Sequence, residues 1–171
     1  PEVAPVAADL ADILRSSISG DEFVTLGEEL TTLDRYVEIQ SIRFPGKFRL
    51  VKDIDAAALD VLVPKLMLQP IVENAILHGF ADTGGSITVT ARLSGAELEV
   101  TVADDGCGMS PEDAGIAFLR HATSKIRSVE ELVQIASLGF RGEALSSISA
   151  VAQIEMITKT PDALTGTRYV I

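Results

Sequence analysis

Apolar residues recur at helical spacing from Ala7 to Ile18, where Leu10, Ile13, Leu14 and Ile18 fall on one side and Gly20 ends the run. A second helix is predicted at Thr25-Leu26-Gly27-Glu28, whose threonine and glutamate have the spacing of a capping box. It would carry Leu26, Leu30, Leu33, Tyr36 and Val37 on one side until Phe44-Pro45-Gly46 stops it. Phe48 to Ile54 alternates as a strand does, and Pro64 suits the first position of a third helix reaching His78-Gly79. Ser86 to Leu93 and Glu97 to Ala103 alternate about Ser94-Gly95, the pattern of an antiparallel hairpin. Ser110-Pro111-Glu112-Asp113 reads as a helix start, and Ser128-Val129-Glu130-Glu131 as a second capping box. A helix over Glu143 to Ser149 and strands at Gln153 to Thr158 and Thr167 to Ile171 complete the pattern. Together these predict an α/β fold, a two-layer sandwich with a mixed, mainly antiparallel sheet and helices on one face.

Composition narrows the function. The 171 residues are 47% hydrophobic and 23% charged, which suits one globular domain over 1–171. A chain of this length buries roughly 70% of its unfolded surface and needs neither disulfide nor structural metal. Its single cysteine, Cys107, can form no intrachain disulfide. A net charge of -11 argues against broad attraction to nucleic acid or anionic membrane, because neutralising phosphates takes an excess of Lys and Arg. A single nucleotide needs only a local site and stays open. No apolar run approaches the ~20 residues of a membrane span, and the start PEVAPVAADL lacks the marks of a signal peptide, so a cytoplasmic location is expected.

Four segments could carry chemistry. In Gln69-Pro70-Ile71-Val72-Glu73-Asn74-Ala75-Ile76-Leu77-His78-Gly79, Glu73 and Asn74 would lie about 100° apart on a helix, so only one can point squarely into a pocket. An Asn amide oxygen suits a magnesium ion that already carries phosphate oxygens, although by itself the segment reads first as a solvated helix face. His78 fits a helix end, where the dipole favours it. In Asp104-Asp105-Gly106-Cys107-Gly108, a carboxylate at a strand end beside glycines can accept a hydrogen bond from an exocyclic amine such as adenine N6, and the same composition also makes ordinary turns. Arg120-His121-Ala122-Thr123-Ser124-Lys125 supplies donors and a cation suited to a phosphate-covering lid. Gly139-Phe140-Arg141-Gly142-Glu143-Ala144-Leu145 frames a helix entry favourable to an anion, yet it is neither a Walker nor a dinucleotide motif. Cys107 reads as a small filler, since neither histidine stands near it in sequence.

In their order along the chain these segments resemble the Bergerat nucleotide-binding fold of the GHKL superfamily, which joins gyrase, the Hsp90 chaperone, histidine kinases and MutL. Residues from about 8 to 103, with LADILRSSISGDEFVTLGEEL, RYVEIQSIRF and VPKLMLQPIVENAILHG, resemble the catalytic part of a LytS-type sensor histidine kinase. Residues from about 104 to 160, with DDGCGMSPEDAGIAFLRHATSKI and SLGFRGEALSSISAV, resemble the MutL mismatch-repair ATPase. A kinase-like half over 1–103 and a MutL-like half over 104–171 imply an engineered or computed recombination of two homologues, joined near Ala103. By this resemblance Asp104 matches the adenine-reading aspartate and Asn74 the magnesium-holding asparagine. Gly106, Gly108 and Met109 match the loop beside the base, and Thr123, Ser124 and Lys125 the lid. Gly139, Phe140, Arg141 and Gly142 match the phosphate loop, and Thr167 a threonine near adenine.

The departures bear on turnover. MutL proteins place a water-activating glutamate four residues before the asparagine, where this chain has Pro70, a residue also expected to bend the helix. Glu73 is the remaining candidate base. Neither His78 nor His121 stands in a phosphoacceptor segment, so no autokinase activity is expected, and the lysine that MutL proteins draw from a following domain is expected to be missing. The resemblance therefore implies a magnesium-dependent ATP- or ADP-binding domain with little or no turnover. A slow MutL-like ATPase and a folded chimera without a working nucleotide site are the alternatives.

Overall fold

The computed structural model describes residues 22–80, 84–116, 148–149 and 151–171. They fall in two compact units, 1–106 and 107–171.

In the first unit, β1 (Phe23–Thr25) leads directly into α1 (Leu26–Arg43). The capping box forms as the sequence predicts. Glu28 N–H donates to Thr25 Oγ1 at 3.2 Å, and Thr25 N–H donates to Glu28 Oε2 at 2.9 Å, so two otherwise orphaned helix donors are satisfied. Leu26, Leu30, Leu33 and Tyr36 bury one stripe of α1, with Val37 packed at its margin. The helix ends at Phe44, whose N–H donates to Gln40 O, and Gly46 turns the chain at φ 71°.

β2 (Phe48–Ile54) runs parallel to β4 (Gly85–Ser94), which pairs antiparallel with β5 (Glu97–Asp104) in the order β2-β4-β5. A parallel pair needs a crossover connection. Here it consists of β3 (Leu62–Pro64), antiparallel to β1, followed by α2 (Leu68–Asn74) and a π-helical turn over Ala75–Gly79. Ile87, Val89 and Ala91 alternate along β4 and are fully buried in the same core as α1 and α2. Both helices therefore cover one face of this sheet, and Ile87 and Val89 each contribute about 1.5–3 kcal/mol through burial.

The third predicted helix starts later than its sequence indicates. Pro64 closes β3 rather than opening a helix, because the Val63 and Pro64 backbones pair with Val24 and Phe23 of β1. The chain then passes Leu66 at φ 59°, a left-handed conformation that a helix cannot include. Only at Leu68 does α2 begin.

In the second unit, Ser110 caps α3 (Pro111–Ile116): Asp113 N–H donates to Ser110 Oγ at 3.1 Å, and Ser110 Oγ donates to Asp113 Oδ2 at 3.0 Å. Pro111 takes the first helical position, where its missing N–H costs nothing. β6 (Glu155–Thr158) pairs antiparallel with β7 (Thr167–Val170), and Arg168 forms a two-point ion pair with Glu155 at 2.8 and 2.9 Å. The first predicted helix, the Ser128 capping box and most of the helix over Glu143 to Ser149 lie outside the described residues. The fold is α/β, and among the described strands three of the four pairings are antiparallel. No described helix is long and apolar enough to cross a membrane.

Candidate functional site

β5 ends at Asp104, directly opposite Ile87 in the ladder. Cross-strand partners share a face, so Asp104 leaves the sheet on the side covered by the helices. Its Oδ1 accepts the Gly106 N–H at 2.9 Å, which fixes the carboxylate across the turn. Among the described residues Oδ2 has no hydrogen-bond partner, and the side chain is exposed. Gly79, at the end of the π-helical turn, closes the other side. A methyl on Gly106 would stand 2.7 Å from Asp104 Oδ1 and 2.7 Å from Gly79 Cα, and one on Gly79 would stand 3.4 Å from the same oxygen. The backbones of Gly79 and Gly106 thus pack closely against one another beside the pinned carboxylate, whose other oxygen remains an open acceptor.

The neighbouring Asp105 does different work. Its Oδ1 accepts Ser86 N–H at 2.7 Å and its Oδ2 accepts Ser86 Oγ–H at 3.1 Å, tying the end of β5 to the start of β4. The backbone donation from Ser86 is the main reason its carboxyl is held below the usual carboxylate range. Of the two adjacent aspartates, one is committed to the fold and the other is open.

On α2 the structure separates Glu73 from Asn74. Glu73 is 4% exposed and faces Tyr36 of α1, whereas Asn74 is exposed. Burial first, and then the Glu73 carboxylate, pushes the Tyr36 phenol well above its ordinary range. Tyr36 Oη nevertheless has no partner in good hydrogen-bond geometry. Glu73 is thus turned into the core and Asn74 toward solvent. Asn74 is the last residue of α2, where the helix passes into the π-helical turn that ends at Gly79. π-Helical turns are rare and are frequent at functional sites.

Pro70 is the third residue of α2, half-buried. The first turn of a helix leaves its N–H groups unpaired in any case, so Pro70 removes no helical hydrogen bond. The bend expected there is therefore not required, and the reason lies in the late start at Leu68. His78 is exposed at the end of the π-helical turn, and Cys107, read as a filler, is exposed as well.

In the second unit Gly108, Met109 and Thr167 come together around Thr158. Met109 N–H donates to Thr158 Oγ1 at 2.8 Å, and Thr158 pairs with Thr167 across the ladder. Gly108 has φ 66°, and a Cβ there would run into Lys159 O, so glycine is required on both counts. Sequence reasoning missed Thr158, which is 8% exposed, although a threonine ending a predicted strand is a usable signal. Thr123, Ser124, Lys125, Gly139, Phe140, Arg141 and Gly142 lie outside the described residues.

Glu29 was equally hidden. It is 2% exposed on α1, and its two oxygens accept Leu66 N–H and Leu68 N–H at 2.9 Å each. Burial raises its pKa above the ordinary value, opposed by these backbone donors and by Lys65.

The family described as histidine kinase-, DNA gyrase B- and HSP90-like ATPase matches residues 60–157, which include α2, the Asp104 turn and β6. The chain belongs to this family. Residues 1–48 match a second family, histidine kinase. Within the ATPase family the chain is 53% identical over 109 residues to the DNA mismatch repair protein MutL of Agathobacter rectalis, covering 63% of this chain and 16% of that protein. It is 47% identical over 104 residues to the MutL of Syntrophobacter fumaroxidans, covering 61% and 15%. The chain thus spans less than a fifth of the length of these relatives. The 109-residue match is longer than the stretch from Asp104 to Ile171, so it also takes in residues before Asp104. Among solved structures, the histidine kinase domain of the Erythrobacter litoralis blue-light activated histidine kinase matches with a TM-score of 0.53 at 19% identity, over 99% of this chain and 72% of that one. The mycobacterial sensor histidine kinase MprB matches at 0.52 and 17%, over 88% and 94%. These structural likenesses establish the fold, and the chain combines histidine kinase and MutL features of the GHKL superfamily.

Proposed function

We propose that this chain is a magnesium-dependent adenine-nucleotide-binding domain with little or no turnover, formed by joining a kinase-like amino-terminal part to a MutL-like part whose likeness reaches back before Asp104. The observation that carries the reading is the pinned Asp104 carboxylate, open at Oδ2 and flanked by the bare backbones of Gly79 and Gly106. Adenine suits this acceptor because its N6 amine donates where a carboxylate accepts, whereas guanine presents an acceptor oxygen there.

The donor set also suits magnesium of a particular kind. Among the described residues no group of three His, Cys, Asp or Glu could hold a metal ion, so no all-protein cage is formed. A magnesium ion carried in by phosphates needs few protein ligands, and the exposed Asn74 amide oxygen is a suitable one. When bound, the ion would neutralise phosphate charge. Asn74 would orient it, and Asp104 would select the base.

Low turnover follows from α2. Pro70 has no acid or base to offer, and Glu73 is buried against Tyr36. A thermal shift with a non-hydrolysable ATP analogue and magnesium tests binding, since a ligand specific to the native state raises the melting temperature. No shift at saturating ligand would favour a folded chimera without a working site. Phosphate release should be near background in the parent, and Pro70→Glu should raise it toward the lower end of the ~10² to 10⁴-fold typical of general-base catalysis. Brisk parent turnover abolished by Asn74→Ala would instead support the slow ATPase.

A further inference from the structure

The described polar residues buried in the first unit are Glu29 and Gln40 on α1 and Gln69 and Glu73 on α2, joined by the Tyr36 hydroxyl. All belong to the two helices, and none to the sheet. Glu29 meets the start of α2 at Leu68, and Tyr36 meets Glu73 further along, so the two helices run in the same general direction with polar groups between them. Apolar packing alone specifies rotation weakly, because neighbouring apolar side chains can exchange places at small cost, while a buried polar group must find its partner.

We propose that Glu29 is a positioning residue for Asn74: its carboxylate fixes the Leu66–Leu68 turn, and thereby the start and rotation of α2, so that Asn74 and not Glu73 faces outward. Three observations converge on this. Leu66 is the only described non-glycine residue at positive φ, and its N–H is held by Glu29 Oε2. Leu68, the first residue of α2, has its N–H held by Glu29 Oε1. α2 is seven residues long, so its first turn is half of the helix. A register slip of one residue turns a helix by about 100°, which would carry Glu73 into the place of Asn74 and expose a charge where a neutral ligand stands. The consequence for magnesium rests on the nucleotide-binding reading above, while the control of α2 by Glu29 does not.

The test uses Glu29→Gln, which keeps one acceptor oxygen, with Glu29→Asp, which keeps both on a shorter arm, as the second variant should the first not fold. Amide hydrogen exchange is read first. Amides from Leu66 to Asn74 should exchange roughly tenfold faster in the variant, the equivalent of about one lost hydrogen bond, while those of β4 and β5 keep their rates. Unchanged rates, or a uniform rise across both regions, would overturn the proposal in favour of no role or a merely stabilising one. The ratio of ADP affinity with magnesium to that without is read second, in a cycle with Asn74→Ala. The Glu29 variant should lower this ratio, and combining the two substitutions should lower it no further than Asn74→Ala alone. Additive losses would overturn action through Asn74. Absence of ADP binding in the parent would defeat the nucleotide reading instead, and the exchange rates would still decide whether Glu29 sets α2.

Discussion

Asp104 and Gly106 hold one another across a single turn: Oδ1 of the first accepts the N–H of the second at 2.9 Å, and no side chain fits at Gly106 without striking that oxygen. The glycine is therefore required by space, not by an unusual φ. Gly106→Ala places a methyl 2.7 Å from both Asp104 Oδ1 and Gly79 Cα, and overpacking of this kind typically costs ~1–3 kcal/mol. Urea denaturation should show the loss, and ADP affinity should fall with it. Parent-like values in both would mean that the turn is slack and Asp104 is not held.

Two carboxylates should give opposite pH signatures. Asp105 has its pKa lowered below 3.8 by Ser86, so its stabilising contribution is present above that value and is lost as pH falls through the lowered pKa. Glu29 has its pKa raised above 4.5 by burial, so its contribution is full below 4.5 and is lost as pH rises through the raised pKa. Melting temperatures measured against pH for the parent, Asp105→Asn and Glu29→Gln should differ accordingly. The gap between parent and Asp105→Asn should close toward acid, and the parent should lose ground to Glu29→Gln as pH rises above 4.5. Parallel curves for all three proteins would contradict both assignments.

The α1 capping box should be worth a measurable share of stability. Thr25→Ala removes the oxygen that accepts Glu28 N–H, and loss of an N-cap costs ~0.5–2 kcal/mol. The denaturation midpoint should shift with an unchanged slope. A midpoint equal to that of the parent would show that α1 is held by its buried stripe alone.

What the sequence discloses here is what its neighbours in sequence decide. The Thr25 box, the Ser94-Gly95 hairpin turn and the Ser110-Pro111 helix start each depend on residues within a few positions, and the structure forms all three. The true start of α2 does not. It is set by β1 pairing with β3 and by a carboxylate 37 to 39 residues earlier in the chain, partners that no local window contains. The candidate site divides in the same way. The spacing on α2 already requires Glu73 and Asn74 to diverge, but which of them is turned inward is visible only in the tertiary structure, where Glu73 is buried facing Tyr36. Likewise the resemblance singles out Asp104, but the part played by Asp105 is visible only once Ser86 is seen to occupy it.

Calorimetric titration of ADP with magnesium into the parent and into Asp104→Asn tests the adenine-site reading most directly. The parent is expected to bind ADP, and to bind GDP more weakly. Asp104→Asn is expected to lose at least ~1 kcal/mol of ADP binding, roughly fivefold in affinity, the order of one charge-assisted hydrogen bond. Equal ADP affinity in the two proteins would contradict the assignment of Asp104 as the residue that reads the base.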